Sequence, residues 1–381
     1  MELQYNVIMI KRHYQIDRLI RPNKVLVIYG PRRVGKTTLL QDFLKRTKLK
    51  YRSDSGDNIR TQDVLDSRDF GRILDYISGY ELLALDEAQQ IRGVGMGLKI
   101  IVDQVKGFYV VATGSSSFDL PQQVGEPLTG RKETVILYPI SQKELLTVYN
   151  RHELREKLEE FLVFGSYPDV VTAKNKQERI KTLTEIVDSY LLKDILSLER
   201  IKSPKTILNL LKLLAFQVGQ LVSLNELSRQ LAVDVKTVGR YLDLLEKSFI
   251  IKSVGGFSRN LRKEISKKAK YYFLDNGIRN AVVMQFNGLE DRDDVGALWE
   301  NFIFCERLKK LSYENIYGYT YFWRTYGGDE IDLVEERDGR LYGYELKWKQ
   351  KTGKAPLDWT KNYGDAEFLV INRDNYLDFI T

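Results

Sequence analysis

The sequence predicts an α/β protein: a doubly wound, mostly parallel sheet first, then a helical region, a winged helix-turn-helix and a second α/β domain. Three observations predict it. Apolar runs at residues 25–29, 81–85 and 108–112 end in polar residues and alternate with helical patterns, as βαβ units do. A capping box at Ser223 opens a helix, a turn, a second helix and a strand in quick succession. Three strand-like segments near 319–324, 330–334 and 341–348 carry acids and a lysine among apolar residues.

Composition bounds the answer. With 381 residues, two or three domains of about 100–200 residues each are expected. The 59 basic residues against 52 acidic ones give +7, a mild lean toward a polyanionic partner. One cysteine, Cys305, excludes an intramolecular disulfide and suits a reducing compartment. The two histidines, His13 and His152, leave little room for a zinc site. No apolar run approaches the roughly 20 residues of a membrane span, and no signal-peptide core opens the chain. The expectation is a soluble cytoplasmic protein with no membrane partner.

Residues 1–24 are basic and amphipathic, with Lys11, Arg12, Arg18 and Arg21. They are expected as a helix over a nucleotide pocket or as a solvated lead-in. Residues 25–29 read as a buried strand. Gly30-x-x-x-x-Gly35-Lys36-Thr37 follows, and then a helical pattern from Thr38. Strand, glycine loop, helix is the context of a phosphate-binding loop. Gly30 and Gly35 let the backbone through Pro31, Arg32, Arg33 and Val34 turn tightly toward an anion. The helix entered at Thr37 and Thr38 points its positive end at the same place. Lys36 would reach the β- and γ-phosphates of ATP, and the Thr37 hydroxyl would ligate Mg²⁺.

A second strand is expected at 50–54 and a helix over 61–78. The run at 81–85 ends in Asp86 and Glu87. Asp86 would hold Mg²⁺ with Thr37, and Glu87 would polarise the attacking water. A helix over 96–106 leads to the strand ending at Thr113-Gly-Ser115. Those hydroxyls would sit near the γ-phosphate; a serine-rich turn capping the next helix is the alternative. Arg131 precedes a strand at 135–139 and would act as an arginine finger on a neighbouring subunit, or is a surface arginine.

From 141 to 222 the pattern is helical, with amphipathic stretches at 144–160 and 178–198 broken at Gly165-Ser-Tyr-Pro168. A lid and a plain connector both fit. Ser223 then opens a helix to about 231, and a turn at 232–234 leads to a helix over 235–247 that exposes Lys236, Thr237 and Arg240. A wing strand at 249–254 precedes Arg259, Arg262, Lys263, Lys267, Lys268 and Lys270, a basic stretch suited to DNA phosphates. A winged helix used only for packing is the alternative.

The C-terminal part holds Glu300 on a helix, Asp332 on one strand, and Glu345 and Lys347 on the same face of the next. This is a divalent-metal nuclease pattern. Asp332 and Glu345 would bind Mg²⁺, Lys347 would activate water, and Glu300 would complete the shell. A phosphate- or DNA-binding remnant and plain strand-end charges stay open beside a live nuclease.

The whole chain resembles the prokaryotic AAA+-type ATPases related to the archaeal ATPases. The resemblance rests on Gly30-Pro-Arg-Arg-Val-Gly-Lys-Thr37, Leu85-Asp-Glu-Ala-Gln89, Thr113-Gly-Ser-Ser116, Leu128-Thr-Gly-Arg131 and Leu137-Tyr-Pro-Ile-Ser141. Farther on it rests on Tyr272-Phe-Leu-Asp-Asn-Gly277, Trp299-Glu-Asn301, Asp329-Glu-Ile-Asp332 and Glu345-Leu-Lys347. It implies a P-loop NTPase sheet, ATP and Mg²⁺ as cofactors, hydrolysis, a homo-oligomer, and a C-terminal restriction-endonuclease-like (PD-(D/E)xK) domain. The helical region offers no second arginine sensor. The expected division is an ATPase core at 1–140, a helical lid at 141–221, a winged helix-turn-helix at 222–270 and the nuclease-like domain at 271–381. Two functions follow. One is an ATPase acting on or sensing DNA; the alternative is a nucleotide-gated switch acting on a protein partner.

Overall fold

The computed structural model describes residues 10–115, 127–191, 203–259, 268–349 and 352–381. They pack as two compact units, Arg12–Pro139, and Ile140–Thr381 together with residues up to Lys11.

In the first unit, β1 (Val25–Tyr29), β2 (Tyr51–Ser55), β3 (Leu82–Asp86), β4 (Tyr109–Thr113) and β5 (Lys132–Ile136) form one parallel sheet. Its order is β2-β3-β4-β1-β5. All five residues of β1 are buried, which explains their unbroken apolar run. At the edge, β2 reads Tyr-Arg-Ser-Asp-Ser and is half exposed. Every strand runs the same way, with Val25 beside Val110 and Lys132, and Leu82 beside Tyr109. The carboxyl ends of β1, β3 and β4 therefore share one edge of the sheet. Because β5 lies on the far side of β1 from the others, the strand order reverses there, and ligands bind outside the strand ends at such a point.

Two expectations change in detail. The helix expected over 61–78 is two helices, Ile59–Leu65 and Phe70–Ile77. Arg68 adopts φ +56°, and Asp69 caps the second helix through the Arg72 N–H. Among the described residues of the 1–24 segment, only Ile16–Leu19 is helical.

The second unit begins with Gln142–Leu145, Arg151–Glu156 and Leu158–Phe164. The amphipathic stretch expected at 144–160 is divided among three helices, because Ser141 and Asn150 each start their own capping box. The break expected at Gly165 is present: Gly165 has φ +70°, and a Cβ there would meet Asp275 Oδ1 at 2.0 Å. Lys176–Glu185 passes into a π-helical segment, Ile186–Leu191. The rest of the stretch expected to reach 198 lies outside the described residues. Pro204–Phe216, Leu224–Leu231 and Val235–Lys247 follow, the second capped by Ser223 as its sequence predicts and the third by Asp234, from the turn expected at 232–234.

β6 (Leu221–Val222), β7 (Ile251–Gly256), β8 (Ala269–Phe273), β9 (Tyr319–Arg324), β10 (Glu330–Arg337), β11 (Arg340–Leu346) and β12 (Glu367–Ile371) build a second sheet. Its order is β12-β11-β10-β9-β7-β8-β6. The strand expected as a wing is thus an inner strand: β7 pairs antiparallel with β8 and parallel with β9, Gly255 beside Tyr321. Helix Val295–Tyr313 packs into a core with Trp299, Phe304, Phe322, Leu333 and Tyr376. No described helix is long and apolar enough to cross a membrane.

Candidate functional site

The glycine loop sits at the carboxyl end of β1. Gly30 has φ +147°, and a Cβ there would lie 2.1 Å from the Leu137 carbonyl oxygen, so only glycine fits. Gly35, at φ +91° and ψ +26°, is the N-cap of helix Lys36–Arg46, and Arg33 is also left-handed at φ +59°. Between the glycines, Pro31 and Val34 are buried while Arg32 and Arg33 are half-buried. Lys36 is only 5 % exposed. Its ammonium donates to the carbonyls of Gly30 at 2.9 Å and Pro31 at 2.8 Å, which fixes the charge inside the loop. Thr37 and Thr38, on the first turn, face solvent.

Asp86 ends β3 beside this loop. Its Oδ2 accepts the Thr37 hydroxyl at 2.7 Å, and its Oδ1 accepts the Thr113 hydroxyl from the end of β4. Glu87, next in the chain, is left-handed at φ +48° and ψ +41°, a costly backbone for a residue with a Cβ. Gly56 holds it there. The Gly56 N–H donates to Asp86 O at 2.8 Å, and a Cβ at 56 would meet Glu87 O at 2.1 Å. The side-chain amide of Gln89 donates to Glu87 Oε2 and, at 2.9 Å, to Ser115 Oγ. Lys36, Thr37, Asp86, Glu87, Thr113 and Ser115 are thereby gathered at one end of one sheet.

Two contributors escaped the sequence. Gln89 stands in the Asp86-Glu87-Ala-Gln89 stretch, where its two-residue offset from Glu87 was the available signal. Arg12 donates to Val34 O of the loop and, at 2.6 Å, to Tyr138 O. Its basic neighbours hid it, since four cations in the lead-in looked alike. Arg131 is not gathered with the others. It precedes β5 at the amino end of the sheet and pairs with Asp103.

In the second unit, Lys236 and Arg240 are exposed on helix Val235–Lys247. Thr237 is engaged locally, its N–H and hydroxyl both donating to the Asp234 carboxylate at 2.8 and 2.6 Å. These contacts hold Asp234 below the usual carboxylate range. Of the downstream basic stretch, Arg262, Lys263 and Lys267 lie outside the described residues.

Glu300, Asp332, Glu345 and Lys347 do converge. Asp332 Oδ2 accepts the Leu346 N–H at 2.8 Å and lies 3.6 Å from Lys347 Nζ, which reaches Glu345 Oε1 at 2.6 Å. Lys270 on β8 enters the cluster, 1 % exposed. Its Nζ lies 2.6 Å from Glu330 Oε1, 3.2 Å from Glu300 Oε1 and 3.8 Å from Asp332 Oδ1. The Tyr272 hydroxyl donates to Glu300 Oε1 at 2.7 Å, and Arg324 reaches Glu330 at 3.2 Å. Burial pulls the Lys270 ammonium down, but Glu300, Asp332 and Glu330 outweigh it and hold the group above its ordinary value. Burial, against the pull of Lys270, pushes Glu300 up to about 7. Burial and then Asp332 raise Glu345. The sequence reading places Lys270 in a basic stretch suited to DNA phosphates, with solvated surface as the alternative. Its alternation with Tyr272 on an apolar strand was the signal that it points inward. Among the described residues, no group of three or more His, Cys, Asp or Glu is placed to hold a metal ion.

Residues 22–146 match the AAA domain family, and residues 155–292 and 295–375 match two domains of unknown function, DUF8612 and DUF4143. The chain thus carries an AAA-type P-loop ATPase domain, followed by a C-terminal DUF4143 domain. It is similar to an uncharacterized protein of Mycobacterium tuberculosis, 28 % identical over 342 residues that span 87 % of this chain and 72 % of the relative. It is also similar to an uncharacterized protein of Haemophilus influenzae, 27 % identical over 97 % of this chain and 92 % of that one. An uncharacterized ATP-binding protein of Pyrococcus horikoshii is 43 % identical over 68 residues, 16 % of this chain and 21 % of the relative.

Proposed function

We propose that the AAA-type domain binds ATP with Mg²⁺ and hydrolyses it, and that the chain uses this cycle to act on or sense DNA. The observation that carries the reading is Asp86 held between Thr37 and Thr113 beside the buried ammonium of Lys36. The loop N–H groups and Lys36 would take the β- and γ-phosphates. Thr37 and Asp86 fit Mg²⁺: a hydroxyl and a carboxylate oxygen lie 2.7 Å apart, and the ion prefers oxygen donors and retains water. Bound there, it would neutralise phosphate charge. Glu87 orients the attacking water, and Gln89, itself anchored on Ser115, fixes its carboxylate. Arg131, remote from its own loop, is a finger only toward a neighbouring copy in a homo-oligomer.

The helical stretch 141–221 reads as a lid, 222–270 as a winged helix-turn-helix and 271–381 as a nuclease-like fold. Lys236 and Arg240 supply the cations for DNA phosphates, and the +7 net charge agrees. The test is ATP turnover with and without DNA at low and moderate salt, with the DNA read on a gel from the same tubes. Turnover stimulated by DNA and weakened by salt supports the reading. Turnover indifferent to DNA, with no gel shift at low salt, overturns its DNA part.

A second reading, a nucleotide-gated switch with a protein partner, has one observation in its favour. Strand β7 is built into the larger sheet, and Lys252 and Ser253 on it are held by Glu246. That suits a hairpin used for packing.

A further inference from the structure

We propose that Lys270 is the resident cation of the C-terminal carboxylate cluster, standing where a nuclease of this pattern carries its metal, so that the cluster joins strands and does not cut DNA. This goes beyond the ATPase reading and does not depend on it.

The contacts of Lys270 carry the inference. A divalent cation takes about six oxygens at about 2.0–2.6 Å. Here the Lys270 ammonium lies 2.6 Å from Glu330 and 3.2 Å from Glu300, and faces Asp332 at 3.8 Å. A metal drawing on the same carboxylates would meet a positive charge in the same space. Lys270 cannot withdraw. Its strand is paired on both sides, to Val254 and to Leu221, and the side chain is almost wholly buried. Removing a buried charge from its partners strands the charges left behind.

The other donors are occupied as well. Asp332 Oδ2 takes the Leu346 N–H, and Lys347 spans Asp332 and Glu345. Glu300 also takes the Tyr272 hydroxyl, and Gly219 leaves it room, since a Cβ there would lie 2.7 Å from Glu300 Oε2. Among the buried carboxylate oxygens of the cluster, Glu345 Oε2 alone has no hydrogen-bond partner. One oxygen does not make a divalent site. The four carboxylates already face Lys270, Lys347 and Arg324, so charge is nearly balanced without an ion. The result is a link from β8 to helix Val295–Tyr313, β10 and the end of β11.

The experiment is Mn²⁺ binding to the full chain without nucleotide, by electron paramagnetic resonance, with circular dichroism to check folding. Wild type is expected to show no site tighter than about 1 mM that Asp332→Asn removes. Lys270→Gln, which takes away the charge, is expected to gain one Mn²⁺ site, and adding Asp332→Asn should erase it. Lys270→Arg keeps the charge and should gain none. A wild-type Mn²⁺ site lost in Asp332→Asn overturns the proposal, as does a folded Lys270→Gln that takes no Mn²⁺. If Lys270→Gln does not fold, the wild-type and Asp332→Asn comparison decides alone.

Discussion

Thr37 donates its hydroxyl to Asp86 across 2.7 Å, tying the first turn after the glycine loop to the end of β3. Thr37 is exposed, so the hydroxyl contributes about 1 kcal/mol or less to the fold. Its proposed work is on the nucleotide. Thr37→Ala should lower turnover by roughly 100-fold, the usual loss for a preorganised group at the reacting phosphate. The melting temperature should stay nearly unchanged. Steady-state turnover beside a thermal melt checks both.

Gln89 separates orientation from binding. Its amide holds Glu87 and Ser115 and touches no part of the glycine loop in the bonds described above. Gln89→Leu should cut kcat by about 10- to 100-fold, as losing the partner of a working side chain does elsewhere. ATP affinity should hold. Equal losses in kcat and in ATP affinity would place Gln89 in nucleotide binding instead.

Much of this was legible. The glycine loop, Asp86 and Glu87 announce themselves because strand, turn and helix each impose a local pattern. The cap at Ser223 is legible for the same reason. Long-range pairing was not. Nothing local in residues 251–256 says that β7 will lie beside β9 as well as β8, because that neighbour arrives from a distant part of the chain. Lys270 is obscured for a related cause: its alternation with Tyr272 is clear, but the carboxylates that make burial tolerable come from β10 and helix Val295–Tyr313. The amphipathic stretch at 144–160 is helical but divided, because Asn150 caps a helix of its own.

Stability should depend on Asp275. Burial raises this carboxyl from the ordinary 3.8 up to about 6, although the Ser166 and Ile278 N–H groups and Lys309 pull it down. The folded state therefore holds a proton that the unfolded state releases between about pH 4 and 6. Across that window rising pH removes stability, to a limit of about 3 kcal/mol. Asp275→Asn should lack this pH dependence. Urea melts of both proteins from pH 4 to 7 should show the variant gaining on the wild type as pH rises, with the difference flat above about pH 6.

If Lys236 and Arg240 contact DNA phosphates, each releases about one counterion on binding. Lys236→Ala and Arg240→Ala should each lower the slope of log affinity against log salt by about 0.9. Unchanged slopes in both would remove this helix from the interface. Thr237→Ala should act on the helix start, at about 1 kcal/mol, because its hydroxyl serves Asp234.

Hydrolysis by Glu87 is the central claim, and Glu87→Gln tests it most directly. The side chain keeps its size, and the glutamine retains an oxygen to accept from Gln89. ATP turnover should fall by about 100-fold or more while ATP is still bound with near wild-type affinity. Turnover at the wild-type rate in a folded Glu87→Gln protein would contradict the assignment of Glu87 as the residue that orients the attacking water.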